Sequence, residues 1–398
     1  MRTLLLFTRD LRVHDHPALA AAANDGDVLP LFVLDPRLLQ RSPNRSSFLI
    51  GSLHDLHAAL SSRGAPLVVR RGDPAEVAVS LARRHRCDAI HVTSDVTSAA
   101  AGRLEALRAS GTTVMTFPGN EVISPGAVVP AGEDAYRVFT PYLRAWSNAT
   151  PRRAAPAPRR ITPVEGVTPG RLPAPVRPTA STLPTGGEVA GRRVMQAFVR
   201  RGLDRYGEDR DRLDRDATSR LSPYLRFGCI SPLELAALAS ERRGDAFVRQ
   251  LAWRDFFRQL VAADPRRTRE DLRPGRAPRW RRDPGAFDRW TRGATGVDLV
   301  DAAMVQLLDE GWMPNRARLV AASYLTRTLE IDWRLGAAHF DRHLVDGDPA
   351  SNIGNWQWVA GTGANPRRGV AMNPARQATR VDPDGCYRTR YLGARSAR

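Results

Sequence analysis

The chain has 398 residues, more than the roughly 250–300 at which a single core stops growing, and its 42% hydrophobic and 26% charged residues suit a globular protein of two domains. Its net charge of +18 is carried by arginine alone, because the sequence contains no lysine, which excludes a Walker A phosphate loop, a Schiff-base lysine and a pyridoxal-phosphate site. A bias toward arginine explains which basic residue is used but not the excess of basic over acidic residues; guanidinium forks match phosphate oxygens, so nucleic acid is the polyanion to test.

The N-terminal apolar run ends at Phe7, too short for a signal-peptide core or a membrane span, so a cytoplasmic protein is expected. Near-continuous apolar runs at Thr3–Phe7, Val28–Leu34, Pro66–Val69, Ala89–Thr93 and Thr113–Phe117 predict strands buried on both faces. Helix-like stretches Pro17–Ala23, Ser46–Ser62, Pro74–Arg84 and Ala99–Ala109 lie between them. Residues 1–130 therefore read as an α/β doubly wound domain, without a G-x-G-x-x-G after the first strand. Residues 131–187 are predicted to be a Pro/Arg-rich interdomain linker, since the proline density from Thr150 onward defeats helix and sheet interior alike.

Residues 188–398 read as an all-helical second domain holding seven of the eight tryptophans. Cys87, Cys229 and Cys386 are far apart with no CxxC, so they supply neither a disulfide framework nor an iron–sulfur cluster and are expected to be small buried hydrophobes. His339 and His343 are spaced for one helix face but lack a nearby third ligand, so no metal site is expected. Arginine and tryptophan recur side by side in WRDFF (Trp253–Phe257), GWMPNRAR (Gly311–Arg318), IDWR (Ile331–Arg334) and NWQW (Asn355–Trp358). That combination can hold phosphates while stacking on a flat π system; a plain helical core is the alternative for any one tryptophan.

These segments, with YGEDRDRLDRDATSRLSPYL (Tyr206–Leu225), TGVDLVDAAM (Thr295–Met304), LVDGDPASNIGNWQW (Leu344–Trp358) and the NP-x-x-Q at Asn373–Gln377, closely resemble the cofactor domain of the DNA photolyase/cryptochrome family, nearest to bacterial photolyases of cyclobutane pyrimidine dimers. FTRDLRVHDHPAL and FVLDPRLL resemble the same family's antenna domain, so the likeness spans nearly the whole chain. It implies an all-helical FAD-binding domain behind an α/β antenna domain, and light-driven repair of pyrimidine dimers by electron transfer from excited reduced FAD. A cryptochrome-like blue-light photoreceptor and a (6-4) photolyase are the alternatives. The expected partner is damaged DNA, with no membrane and a monomeric protein.

Residue by residue, the resemblance gives FAD contacts to Tyr206, to Thr218, Ser219, Arg220, Leu221 and Ser222, and to Arg254, Arg318, Asp346, Gly347, Asp348 and Asn352. Thr218-Ser219 can equally start a helix, and Asp346-Gly347-Asp348 can equally be a turn. Asn352 falls where the family places an amide beside flavin N5. Trp280, Trp333 and Trp356 match its chain of electron-carrying tryptophans. Arg210, Gln250, Trp253, Asn315, Arg316, Trp358 and Gln377 match positions that meet the lesion or the DNA, with Arg367 and Arg368 as further arginines for phosphate. Stacking walls offset part of the cost of extracting a base from a duplex.

Three positions depart from the family pattern. Gln250 stands where many dimer photolyases have glutamate, keeping hydrogen-bonding capacity but losing charge; Leu319 replaces a frequent methionine and Pro314 a frequent histidine. The histidine pair that (6-4) enzymes carry near positions 315 and 319 is absent, which argues against that class. The ending YLGARSAR comes before the family's usual end. Arg45 and Asp95 match positions that hold an antenna chromophore in some relatives, 8-hydroxy-5-deazaflavin or, in others, methenyltetrahydrofolate; a solvated surface charge is the alternative for each.

Overall fold

Five parallel strands form one sheet in the order β3-β2-β1-β4-β5: β1 (Arg2–Phe7), β2 (Asp27–Leu34), β3 (Val68–Arg71), β4 (Ala89–Thr93) and β5 (Thr113–Phe117). Central β1 sets Leu4 beside Leu29 on one flank and beside Ile90 on the other, and all three are buried. Between the strands run α1 (Pro17–Asp25), α2 (Pro36–Arg41), α3 (Pro43–Ser61), α4 (Pro74–Arg84) and α5 (Ser98–Ala109). Proline opens α1 to α4, and the side chains of His16, Asp35, Ser42, Asp73 and Thr97 cap the five N-termini. Three details differ from the sequence reading, the first being β3, which starts and ends two residues beyond the predicted Pro66–Val69 run. The short α2 was not expected, and β5, expected to be buried on both faces, is an edge strand whose Met115 is exposed.

The computed structural model describes residues 1–274, 279–364 and 371–396, so Arg367 and Arg368 lie outside the described residues. Within 131–187, expected to be linker throughout, α6 (Phe139–Asn148) forms and buries Phe139, Tyr142 and Trp146. Their i, i+3, i+7 spacing makes one apolar face, which packs on α11 (Asp245–Ala263). The proline-rich chain beyond is extended but fastened to the first domain. Ile161 N–H donates to Arg63 O (2.7 Å), Val28 N–H to Thr162 O (2.8 Å) and Val69 N–H to Pro169 O (2.8 Å), covering backbone that β2 and β3 would otherwise leave open.

From Glu188 the described chain is helical: α7 (Glu188–Arg201), α8 (Tyr206–Asp209), α9 (Ser222–Phe227), α10 (Pro232–Glu241) and α11, then α12 (Pro284–Arg292), α13 (Asp298–Glu310) and α14 (Asn315–Ser323). A π-helical turn at Tyr324–Thr328 follows, and α15 (Trp333–His343), α16 (Pro349–Ala360), α17 (Pro374–Val381) and α18 (Cys386–Ser396) complete it. No described helix is long and apolar enough to cross a membrane.

The two halves share a core. Phe48 of α3 stacks on Phe227 of α9 with ring centroids 4.9 Å apart. Gly228 closes α9 at φ +65°, where a Cβ would stand 2.0 Å from the carbonyl oxygen of Arg9, so only glycine lets the domains approach this closely. Buried Arg12 bridges the same seam, donating to Gly119 O (2.7 Å) and Gly228 O (3.1 Å). Of the cysteines, Cys229 alone is fully buried; Cys386 is exposed on α18, contrary to expectation, because its helix presents that face to solvent.

Candidate active site

Helix α11 supplies one wall of a cavity of about 520 Å³ through Gln250, Trp253, Arg254 and Phe257. Their i, i+3, i+4, i+7 spacing puts all four on one helix face. Trp253 is held flat by Phe139, the two rings 3.7 Å apart and 8° from parallel, so α6 fixes the plane of this wall. Arg254 donates to Asn120 O of the first domain and lines the cavity as well.

The Thr218–Ser222 segment forms a second wall. Arg220 adopts φ +51°, and its side chain bonds Asp216 (2.8 Å) and Glu310 (3.0 Å) while covering the Trp312 ring at 4.5 Å. Trp312 Nε1–H in turn donates to Ser222 Oγ (3.1 Å). Thr218, Ser219, Arg220 and Ser222 face the cavity, whereas Leu221 is fully buried and packs in the core. Tyr206 also lines it, its phenol pushed up to about 12 by burial.

Asn315, Arg316, Arg318 and Leu319 of α14 line the opposite side. Arg316 pairs with Asp211, and Arg318 donates to Asp346 Oδ2 at 2.7 Å. The other oxygen of Asp346 is buried without a hydrogen-bond partner among the described residues. Asp348 is fully engaged: Oδ1 caps α16 by accepting from Ser351 N–H (2.9 Å), and Oδ2 receives Arg9 from the first domain. Burial alone would raise the Asp348 carboxyl, but Arg9, Arg258 and Arg254 overcome it and hold it far below the usual carboxylate range.

Helix α16 carries Asn355 and Trp358 into this cavity, and Asn352, Asn355 and Trp356 into a smaller adjoining one of about 60 Å³ that also touches Asp346, Gly347 and Asp348. The Asn352 amide donates to Ala337 O (3.1 Å). Gly336 of α15 lets Trp356 seat deeply, since a Cβ there would lie 2.3 Å from its ring.

The cavity thus gathers Tyr206, Arg210, Thr218, Ser219, Arg220, Ser222, Gln250, Trp253, Arg254, Asn315, Arg316, Arg318, Asp346, Asp348 and Trp358, with Gly347, Asn352 and Trp356 beside it. Gln377 lies outside it on α17. Trp280, Trp333 and Trp356 belong to one apolar cluster: Trp280 is half-buried, while Trp333, with its indole N–H on Asp271 (2.8 Å), and Trp356, which borders the smaller cavity, are both buried. The ring contacts of Trp356 are with Phe340 (4.9 Å) and with Trp290 (6.1 Å), a buried tryptophan that sequence reasoning passed over. The His339 and His343 rings lie 4.6 Å apart, tilted by 46°; among the described residues no group of three or more metal-ligating side chains occurs.

Arg45 and Asp95 are not solvated surface charges. Arg45 is 7% exposed and bonds Asp341 (3.2 Å) and Leu344 O (3.3 Å), while Asp95 is paired to Arg9 (3.1 Å) and Arg258 (2.8 Å). Both sit in the domain seam, and neither lines the two cavities. Sequence reasoning also missed Arg226, Arg258 and Asn355. Arg226 lines the main cavity and donates Nε–H to Gly347 O (2.9 Å), and burial together with nearby Arg9 lowers its guanidinium to about 9.

A flavin dinucleotide fits this chemistry. Hydroxyl and guanidinium donors line one part, as a diphosphate needs, and the unpartnered Asp346 Oδ1 waits for an N–H donor. Residues 247–396 match the family model for the FAD binding domain of DNA photolyase, and residues 3–160 match the DNA photolyase model. The deoxyribodipyrimidine photo-lyase of Streptomyces griseus is 44% identical over 96% of this chain and 88% of its own length. A bacterial class III photolyase from Agrobacterium tumefaciens superposes with a TM-score of 0.91 at 31% identity, covering 98% of this chain and 86% of that one. An archaeal photolyase from Sulfolobus tokodaii, solved with two FAD molecules, gives 0.86 at 28% identity, covering 98% and 90%. With the cavity, the fold and 44% identity over 96% of the chain in agreement, this chain belongs to the DNA photolyase/cryptochrome family.

Proposed function

We propose that this protein repairs cyclobutane pyrimidine dimers in DNA, driven by light absorbed by FAD. One observation carries the reading: a single cavity collects both the residues matched to FAD and those matched to the lesion, so cofactor and extruded dimer would meet without protein between them. Tyr206, Thr218, Ser219, Ser222, Arg254, Arg318 and Asp346 would hold the FAD, and Gln250, Trp253, Asn315, Arg316 and Trp358 the dimer. FAD held there would supply the light-driven one-electron chemistry that splits the dimer.

The chain's own part is to bind, orient and keep water out. Trp253 and Trp358 offer flat walls to an extruded base, each stack contributing roughly 1–3 kcal/mol. Arg210 and Arg316 stand at the same cavity for phosphate. Trp280, Trp333 and Trp356 grade from half-buried to cavity-lining, an order suited to moving electrons from the surface inward. The two-FAD composition of the Sulfolobus tokodaii relative favours a second chromophore in this protein too, with Arg45 and Asp95 of the domain seam as the residues matched to it.

Two measurements test the reading. FAD released by heat is identified by mass, and the enzyme, reduced without oxygen, is then illuminated with dimer-containing DNA. Thymine is expected to reappear, with Trp358→Ala losing preference for damaged over intact duplex. An FAD-loaded, reduced enzyme that restores no thymine would refute the assignment and favour a photoreceptor.

A further inference from the structure

Five charged side chains from both domains converge behind the cavity. Arg9, in the loop after β1, donates to Asp95 (3.1 Å) and to Asp348; Arg258 of α11 donates to Asp95 (2.8 Å) and Glu121 (2.8 Å) and lies 3.8 Å from Asp348. Side-chain exposure is 15% for Arg9 and no more than 9% for the others. Arg254 of α11 and Arg226 of α9 also face Asp348. Arg9, Asp95, Glu121 and Arg258 do not line either cavity; Asp348 lines both. Because Asp348 also caps α16, any change in its ion pairs reaches the helix that carries Asn352, Asn355, Trp356 and Trp358.

We propose that Arg9 is a positioning residue of the flavin site, by which the α/β domain, acting through Asp348, sets both the start of α16 and the electrostatic potential that bound flavin experiences. This rests on the reading of the cavity as the FAD site. In so dry a seam the charges are weakly screened, so removing one alters the potential at the cavity. Arg9→Gln leaves the carboxylates less compensated. Adding an electron to flavin in that more negative field is harder, and the midpoint potential moves negative. Glu121→Gln removes an anion whose side-chain hydrogen bonds, among the described residues, run to Arg258, leaves more of that cation's charge to Asp95 and Asp348, and moves the potential positive.

The test is a redox titration of bound FAD in the intact holoprotein, in the parent, Arg9→Gln, Arg9→Lys and Glu121→Gln. Opposite shifts in the two glutamine variants are expected, with Arg9→Lys returning toward the parent. A purely structural seam would loosen FAD in both and give no opposed signs. Shifts of the same sign, or none, in flavin-loaded variants overturn the role of Arg9 while leaving the FAD site standing. If Arg9→Gln fails to fold, Arg9→Met, which keeps the length of the side chain without its charge, takes its place, and an unmoved potential there overturns the proposal. A parent that binds no FAD at all overturns the reading of the cavity, and this one with it.

Discussion

In the seam between the domains, Arg9, Asp95, Glu121, Arg258 and Asp348 are packed out of water, whereas behind α16 the smaller cavity is backed by Trp290, Phe340 and Trp356. Both regions are buried and both support the same site. The seam depends on partners supplied by two domains, each carboxylate needing a cation from elsewhere in the chain. The aromatic side depends on shape, and each ring is replaceable by another at the cost of contact area and a void. Polar burial therefore concentrates risk in single residues, while aromatic burial spreads it over many contacts.

The largest expected effect comes from breaking the seam at its centre. Arg258→Ala strands Glu121 in a dry environment and leaves Asp95 and Asp348 to share Arg9 alone, and a loss of about 3–5 kcal/mol in denaturant unfolding is expected. A loss of less than about 1 kcal/mol would mean that the stranded carboxylates had found compensation, and that the two regions do not differ as described.

On the aromatic side, Trp356→Phe is expected to cost less, about 1–2 kcal/mol, because Phe340 and Trp290 keep most of their packing. Under the proposed function the same variant severely slows photoreduction of oxidised FAD and leaves repair by chemically reduced enzyme largely intact. Equal loss in both assays would assign Trp356 a structural role only.

In the pH dependence of stability the two regions separate by window. Burial, then His343 and Arg342, lower His339 from 6.5 to about 3, so its neutral form is favoured in the fold. Its contribution is complete above pH 6.5 and is lost as pH falls from there toward 3. Asp95 and Asp348, held below the ordinary carboxylate value of 3.8, contribute above that value and are lost only in stronger acid. His339→Gln should flatten the upper limb of an unfolding-versus-pH curve and leave the lower one. An unchanged upper limb would assign it to another group.

Much of this protein is written in its sequence, because local chemistry suffices for it. Strands of near-continuous Val, Leu and Ile, proline and capping residues at helix starts, and the lone arginine chemistry need no tertiary information, and β4 and α4 coincide with the predicted runs. The i, i+3, i+4, i+7 face of α11 is equally visible as a pattern, and the family motifs pointed to most of the cavity's lining. What only the tertiary structure decided is which charges leave water. Arg9, Arg226 and Arg258 read like surface arginines in a chain full of them, and Asp95 like a solvated carboxylate. Their burial follows from two domains closing over them at Gly228, a contact between residues more than 200 positions apart that no local pattern encodes. The helix at Phe139–Asn148 stayed hidden among prolines and arginines for the same reason: its apolar face acquires meaning only against α11. Likewise the two carboxylates of Asp346-Gly347-Asp348 look alike in sequence, and folding alone spends both oxygens of one on helix and arginine while leaving the other an oxygen without a partner among the described residues.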